Sequence, residues 1–231
     1  MHRRFTALGV LGAVLSFATV GNATIIGFGQ LGGNNATVPA ALGSGAAADG
    51  NGFVVSNGAT PNIALAWDAN WDIHTSNFFA PIEGKTVGGG AWDNEGSISR
   101  IGQLDAGTHT IGFTPDAGHA VVLNSFDFGH TAETAGTTNW NLSLTDSSTN
   151  VVWSQTVEFV NGAVITASPN FTGALGASYT LTFTRTAETY GSNGRHALDN
   201  LSFNQAVPEP ATLMLAGFGA MAIVAAARRK A

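Results

Sequence analysis

Asp68, Asn70 and Asp72 put side-chain oxygens at alternate positions of one short segment, Asp68-Ala69-Asn70-Trp71-Asp72. Oxygen ligands at positions 1, 3 and 5 are how a calcium-binding loop begins. The pattern then stops: the sixth position is Ile73 where a glycine would make the turn, and the twelfth is Phe79 where a bidentate glutamate would close the shell. A calcium site here needs completion from another loop, for which Asp93 and Glu95 are the candidates. The same carboxylates offer a different chemistry. Glycoside hydrolysis uses two carboxyl groups flanking the scissile bond, and Asp68 or Asp72 with Glu95 is the candidate pair. Of the five tryptophans, Trp71 and Trp92 lie in acidic, Gly-rich surroundings, where an exposed indole would stack on a pyranose face. Trp140 and Trp153 fall in strand-like runs and are expected in the core.

Other chemistries are excluded or left without a motif. The chain has no cysteine, which removes thiolate zinc sites, cysteine nucleophiles and disulfides together. His74, His109, His119, His130 and His196 form no H-E-x-x-H pair at helical spacing, and no G-x-S-x-G elbow occurs. Gly27-Phe28-Gly29-Gln30-Leu31-Gly32 fits a dinucleotide-binding pattern. That pattern works only where a helix N-terminus receives the pyrophosphate, and here Gly33-Asn34-Asn35 and Pro39 follow. With no catalytic signature, the expectation is a non-catalytic protein.

The elements that must position these residues read as strands. Tyr179-Thr180-Leu181-Thr182-Phe183-Thr184 alternates apolar and threonine side chains, and Trp140, Leu142 and Leu144 alternate with Asn141, Ser143 and Thr145. A period of two with β-branched residues marks half-buried strands. Strands are expected near 25–27, 52–55, 63–67, 97–101, 109–113, 120–128, 139–145, 151–157, 163–166, 179–185 and 197–203. Gly and Asn clusters such as Gly88-Gly89-Gly90 and Gly191-Ser192-Asn193-Gly194 punctuate them. No internal segment has helical periodicity, so the expected class is all-β, an antiparallel β-sandwich of jelly-roll type. Residues 24–51, rich in Gly and Ala, are expected to be largely irregular. On the last strand Asp199 is expected to share a face with Ala197, Leu201 and Phe203 and to point toward the core edge, where a carboxylate needs a cation, Arg195 or backbone donors.

Both ends differ from this middle. Arg3-Arg4 precedes an apolar run from Phe5 to Val20, and Gly21-Asn22-Ala23 offers small residues for cleavage. Residues 1–23 therefore read as a secretory signal helix, cut after Ala23. Residues 211–227 carry no charge; as a helix they would extend roughly 26 Å, enough for a short transmembrane span. Arg228-Arg229-Lys230 follows and would stay cytoplasmic. Val207-Pro208-Glu209-Pro210 precedes the span as an extended, exposed peptide. Between the ends, residues 24–206 hold four Lys and Arg against fourteen Asp and Glu. A net charge near −10 speaks against nucleic acid as a partner and is compatible with divalent cations and neutral glycans.

Val207-Pro208-Glu209-Pro210, the apolar span and the basic terminus, in that order, resemble the PEP-CTERM sorting signal of Gram-negative bacteria. The resemblance implies recognition by a membrane-embedded exosortase, a precursor anchored in the inner membrane through residues 211–227, and a final place at the cell surface or in the extracellular matrix. Proteins with this signal are often linked to exopolysaccharide and biofilm matrix. Ala197-Leu198-Asp199-Asn200-Leu201-Ser202-Phe203 also resembles the closing strand of jelly-roll domains in exported proteins and carbohydrate-binding modules. That second resemblance allows a structural calcium ion at Asp199, beside the alternative of a hydrogen-bonded loop anchor.

Overall fold

The computed structural model describes residues 22–28, 31, 36–46, 55–75, 100–104, 107–130, 137–160, 164–189 and 196–207. The expected signal helix, the expected membrane span, Trp92, Asp93, Glu95 and the motif residues Pro208, Glu209, Pro210, Arg228, Arg229 and Lys230 lie outside them. Among the described residues every regular element is a strand, and no helix is long and apolar enough to cross a membrane.

The strands are β1 (Thr24–Ile26), β2 (Ala36–Thr37), β3 (Val55–Asn57), β4 (Ile63–Trp67), β5 (Asp72–Thr75), β6 (Arg100–Leu104) and β7 (Thr108–Pro115). They continue with β8 (Ala120–His130), β9 (Thr137–Asp146), β10 (Val151–Val160), β11 (Val164–Ala167), β12 (Phe171–Thr172), β13 (Tyr179–Glu188) and β14 (His196–Ala206). One sheet runs β10-β9-β13-β7-β4. The other runs β11-β8-β14-β6-β5-β2, with β1 beside β14 and β3, and β12 beside β8. All pairings are antiparallel.

Alternation explains the layering. In β9 the side chains of Thr138, Trp140, Leu142 and Leu144 are buried while Asn141 is exposed; in β13 Tyr179, Leu181 and Phe183 are buried. Those inward rows meet Phe126 and Phe128 of β8 and Phe203 of β14. Phe128 lies 5.3 Å from Trp140, Phe126 5.5 Å from Phe183, and Phe113 5.8 Å from Phe203. The two sheets therefore share one aromatic core, and each buried large apolar side chain contributes about 1.5–3 kcal/mol.

One turn and one bulge show how short polar side chains shape the backbone. Between β9 and β10, Asp146 Oδ1 accepts from the amides of Ser148 and Asn150, both at 2.9 Å, and Thr149 takes φ 66°. The Asn150 side-chain amide, at 3.0 Å, and the Asn150 backbone amide hold the Asp146 carboxyl below its ordinary value. In β14 the register against β8 shifts between Asp199 and Ser202, where Asn200 takes φ 50°. An extra residue in one strand is a β-bulge, and Asn tolerates this backbone better than most residues.

The described parts of 24–51 include β1, β2 and a turn at residues 40–45. Three strands have no counterpart in the sequence expectation, β2, β5 and β12. Of the expected strands at 52–55 and 97–101, the described residues show β3 from Val55 and β6 from Arg100, and residues 52–54 and 97–99 lie outside them.

Candidate functional site

Trp71 is not a sugar platform. It is fully buried and donates its indole N–H to the Thr110 carbonyl at 3.1 Å. Its ring meets Trp67 at 5.2 Å and Phe183 at 5.4 Å, both edge to face. The acidic neighbours misled the expectation of exposure. Trp71 stands directly before β5, and the Val38 amide donates to its carbonyl at 2.8 Å, which draws the ring between the sheets.

The segment carrying Asp68, Asn70 and Asp72 is a tight connection between β4 and β5. Asp68 Oδ1 accepts from the Asn70 amide at 2.8 Å, and its Oδ2 accepts from the Thr110 amide and from the Thr110 hydroxyl. Both Asp68 oxygens thus organise backbone, as Asp does in an Asx-turn. Asp72 starts β5 in register with Thr37 and Gln103. Among the described residues no three His, Asp or Glu side chains gather as a metal cluster.

Asp199 has a partner that the sequence reading missed. It is 2% exposed, and it stands opposite Asp127, 5% exposed, on the β14–β8 ladder. Leu198 opposite Phe128 is the neighbouring inward pair, so the two aspartates belong to the other face of the sheet. This corrects the expected face: Asp199 does not align with Leu201 and Phe203, because the bulge at Asn200 reverses the alternation between them. Thr166 donates its hydroxyl to Asp127 Oδ1 at 2.6 Å, and the Asn200 side-chain amide donates to Asp127 Oδ2 at 2.8 Å. The Asn200 backbone amide donates to Asp199 Oδ1 at 2.8 Å. Burial pushes the Asp127 carboxyl above the ordinary carboxylate range, against the pull of the Thr166 and Asn200 hydrogen bonds.

Asp127 and Asp199 are thus buried ladder partners on one face, Asp127 held by the Thr166 hydroxyl and the Asn200 side-chain amide and Asp199 by the Asn200 backbone amide. That arrangement suits a hard cation, which oxygen donors of these types bind. Asp127 carried little signal in the sequence: Ser125, Asp127 and Gly129 are merely the polar phase of a strand whose other phase is Phe126 and Phe128.

The outward face of the five-stranded sheet is of a different kind. Ladder partners form the row Ser154, Ser143, Thr182 and Thr110 and the row Thr156, Asn141, Thr184 and Thr108. These eight positions carry hydroxyls and an amide but no charge. Thr156 donates to Asn141 Oδ1 at 3.0 Å.

No curated protein matches this chain. Among solved structures, TmCBM61 in complex with beta-1,4-galactotriose aligns at a TM-score of 0.36 and 12% identity, over 63% of this chain and 88% of that one. The CBM22-1 xylan-binding domain from Paenibacillus barcinonensis Xyn10C aligns at a TM-score of 0.35 and 8% identity, over 77% and 99%. The arabinose-bound MgGH51 α-L-arabinofuranosidase aligns at 0.37 and 13% identity, over 82% of this chain and 27% of that enzyme. At its C-terminus the chain matches the PEP-CTERM protein-sorting motif over residues 206–230, and it is therefore a bearer of that motif, which marks an exported protein sorted by exosortase.

Proposed function

We propose that this is an exported protein of a Gram-negative bacterium whose β-domain acts without catalysis at the cell surface or in the extracellular matrix, where it binds exopolysaccharide. The carrying observation is that the sorting motif begins at residue 206, the last residue of β14. The folded domain is thus delivered to wherever exosortase places the chain, with almost no linker between them. In this reading residues 1–23 are the signal peptide, residues 24–206 a jelly-roll-like sandwich, and residues 211–227 hold the precursor in the inner membrane until processing.

Polysaccharide as the ligand is supported by the uncharged hydroxyl and amide rows of the five-stranded sheet and by the acidic balance of the chain. A neutral glycan meets no repulsion there, whereas a polyanion would. Structural calcium at Asp199 with Asp127 belongs to the same reading: it would neutralise two buried carboxylates in a domain that has no disulfide. The test is a glycan array on purified residues 24–206, with galacto- and xylo-oligosaccharides among the probes. Binding of a neutral oligosaccharide at micromolar strength is expected, and an array without any hit would overturn the polysaccharide reading.

A further inference from the structure

The two edges of the five-stranded sheet end differently. At β4 residues 40–45 close the edge group by group. The Trp67 amide donates to the Ala40 carbonyl at 2.9 Å, and the Gly45 amide donates to the Ile63 carbonyl at 2.8 Å. The Ser44 hydroxyl accepts from the Leu65 amide at 2.7 Å and donates to the Leu65 carbonyl at 2.9 Å. β10 forms the opposite edge, ten residues long and paired with β9 alone. Among the described residues nothing bonds to the backbone groups that β10 turns away from β9. In an antiparallel strand every second residue aims its N–H and C=O at that side, so this edge is a row of open donors and acceptors. The edges of the nine-stranded sheet are short or broken: β2 and β3 have two and three residues, and Pro169 separates β11 from β12.

The side chains of β10 do not guard this edge with Lys or Pro, and its ten residues carry one charge, Glu158. Residues 24–206 hold fourteen acidic against four basic side chains, so a second copy is repelled over most of the surface and least along this strip. Val152 and Val160 are 39% and 54% exposed near the two ends of the strand. The register against β9 shifts between Val151 and Trp153 and is regular from Trp153 to Val160.

We propose that β10 pairs antiparallel with β10 of a second copy, about a two-fold axis through Thr156, and joins two five-stranded sheets into one. Opposite residues of an antiparallel ladder point to the same face, and a two-fold axis perpendicular to the sheet keeps each residue on its face. The axis therefore passes through a residue and not between two. Centred on Thr156, the register sets Trp153 against Phe159 of the second copy, Val152 against Val160, and Ser154 against Glu158. A centre at Gln155 would set Val152 against Glu158, and one at Val157 would set Val160 against Ser154. Of the three, the Thr156 register is the one that brings the exposed valines together. Because β4 is already capped, the assembly closes at two copies and does not run on as a fibre. The row Thr108, Thr184, Asn141 and Thr156 then continues into the same row of the second copy, which doubles the uncharged face. The pairing needs no sugar, so it stands or falls apart from the polysaccharide reading.

All strands lie within residues 24–206, inside one compact unit, and the experiment uses that domain without any sugar. Sedimentation over a series up to about 1 mM should show a reversible dimer of the wild type. Val160→Lys sets a charge against an apolar residue at both ends of the pairing and should weaken the dimer at least about tenfold. The chain has no cysteine, so one introduced thiol reports the axis. Opposite residues of a ladder have Cα atoms about 4.5–5.5 Å apart, within the reach of a disulfide. Thr156→Cys should become a covalent dimer under mild oxidation. Ser154→Cys, displaced along the strand from its own copy, and Ser143→Cys, one strand inward, should stay monomeric on a non-reducing gel. Val160 and Thr156 are both exposed, and each variant tests the edge by itself. A wild type that stays monomeric throughout the series overturns the inference. So does a dimer that Val160→Lys leaves intact, or one in which Thr156→Cys cross-links no faster than Ser143→Cys, because the copies then meet elsewhere.

Discussion

Asp127 is the residue at which charge, burial and a ligand proposal meet. Its folded-state carboxyl is raised above the ordinary value of 3.8 by burial. The folded chain therefore holds this proton more tightly than the unfolded chain, so stability falls as pH rises above about 3.8 through the folded value. Asp127→Asn should remove that slope, measured as melting temperature against pH in chelator. Calcium should act in the same direction as the proton: it should raise the wild-type melting temperature near neutral pH, and Asp127→Asn and Asp199→Asn should each abolish the gain. A wild-type melting temperature indifferent to calcium and to chelator would exclude the cation. Trp71 carries a second prediction at this scale. Trp71→Ala should cost about 3–5 kcal/mol in denaturant unfolding because it opens a cavity beneath Trp67 and Phe183. Refolded Trp71→Phe should retain its glycan affinity, since the ring faces the core and not the solvent.

At the scale of the element, how well each strand could be read follows from how much of its stability is local. β4, β7, β9, β10 and β13 alternate at a period of two over five or more residues, and the sequence expectation places all of them within three residues of their ends. β2 and β12 are two residues long, too short for any period, and they exist only because β5 and β8 offer them edges. β5 opens with Asp72, so the pattern of acidic oxygens hid a strand behind a loop-like motif. The bulge at Asn200 was equally illegible, because no local preference says that the Asp199 side chain must leave the face of Leu201. It is the fit of β14 against β8 that demands the extra residue. The candidate site shares this fate: Asp199 is visible on the closing strand, but Asp127 becomes its partner only through register. The loop after β12 supplies a testable case of such long-range fit. A Cβ on Gly173 would stand 2.4 Å from the Tyr179 ring, and the Tyr179 hydroxyl accepts from the Ala174 amide at 2.8 Å. Gly173→Ala must push the ring aside and break that bond, so the expected loss is about 1–3 kcal/mol. Gly173→Ala combined with Tyr179→Leu, which removes the obstacle, should lose less than the two single changes summed, as a double-mutant cycle in chemical denaturation would show.

At the scale of the whole molecule, the proposed function requires an acidic domain, all strands among its described residues, to be held at the cell that exports it. The domain has no helix among its described residues to serve as an anchor, and β14 contributes its hydrogen bonds up to Ala206 opposite Ala120. In the proposed reading attachment falls to the segment that begins at Val207, which is 51% exposed and leads into the matched sorting motif. Deleting residues 208–231 leaves every described strand intact, so the truncated protein should fold with an unchanged melting temperature and appear in the medium instead of the cell fraction. Pro208→Ala with Pro210→Ala keeps the apolar span and the basic terminus but lets the segment before them become helical. That variant should remain cell-bound as an unprocessed precursor, a longer species on an immunoblot of the membrane fraction. The two outcomes separate anchoring from processing: if both variants reach the medium, the span holds nothing, and if the double proline variant is processed like wild type, the extended peptide is not what the sorting enzyme reads.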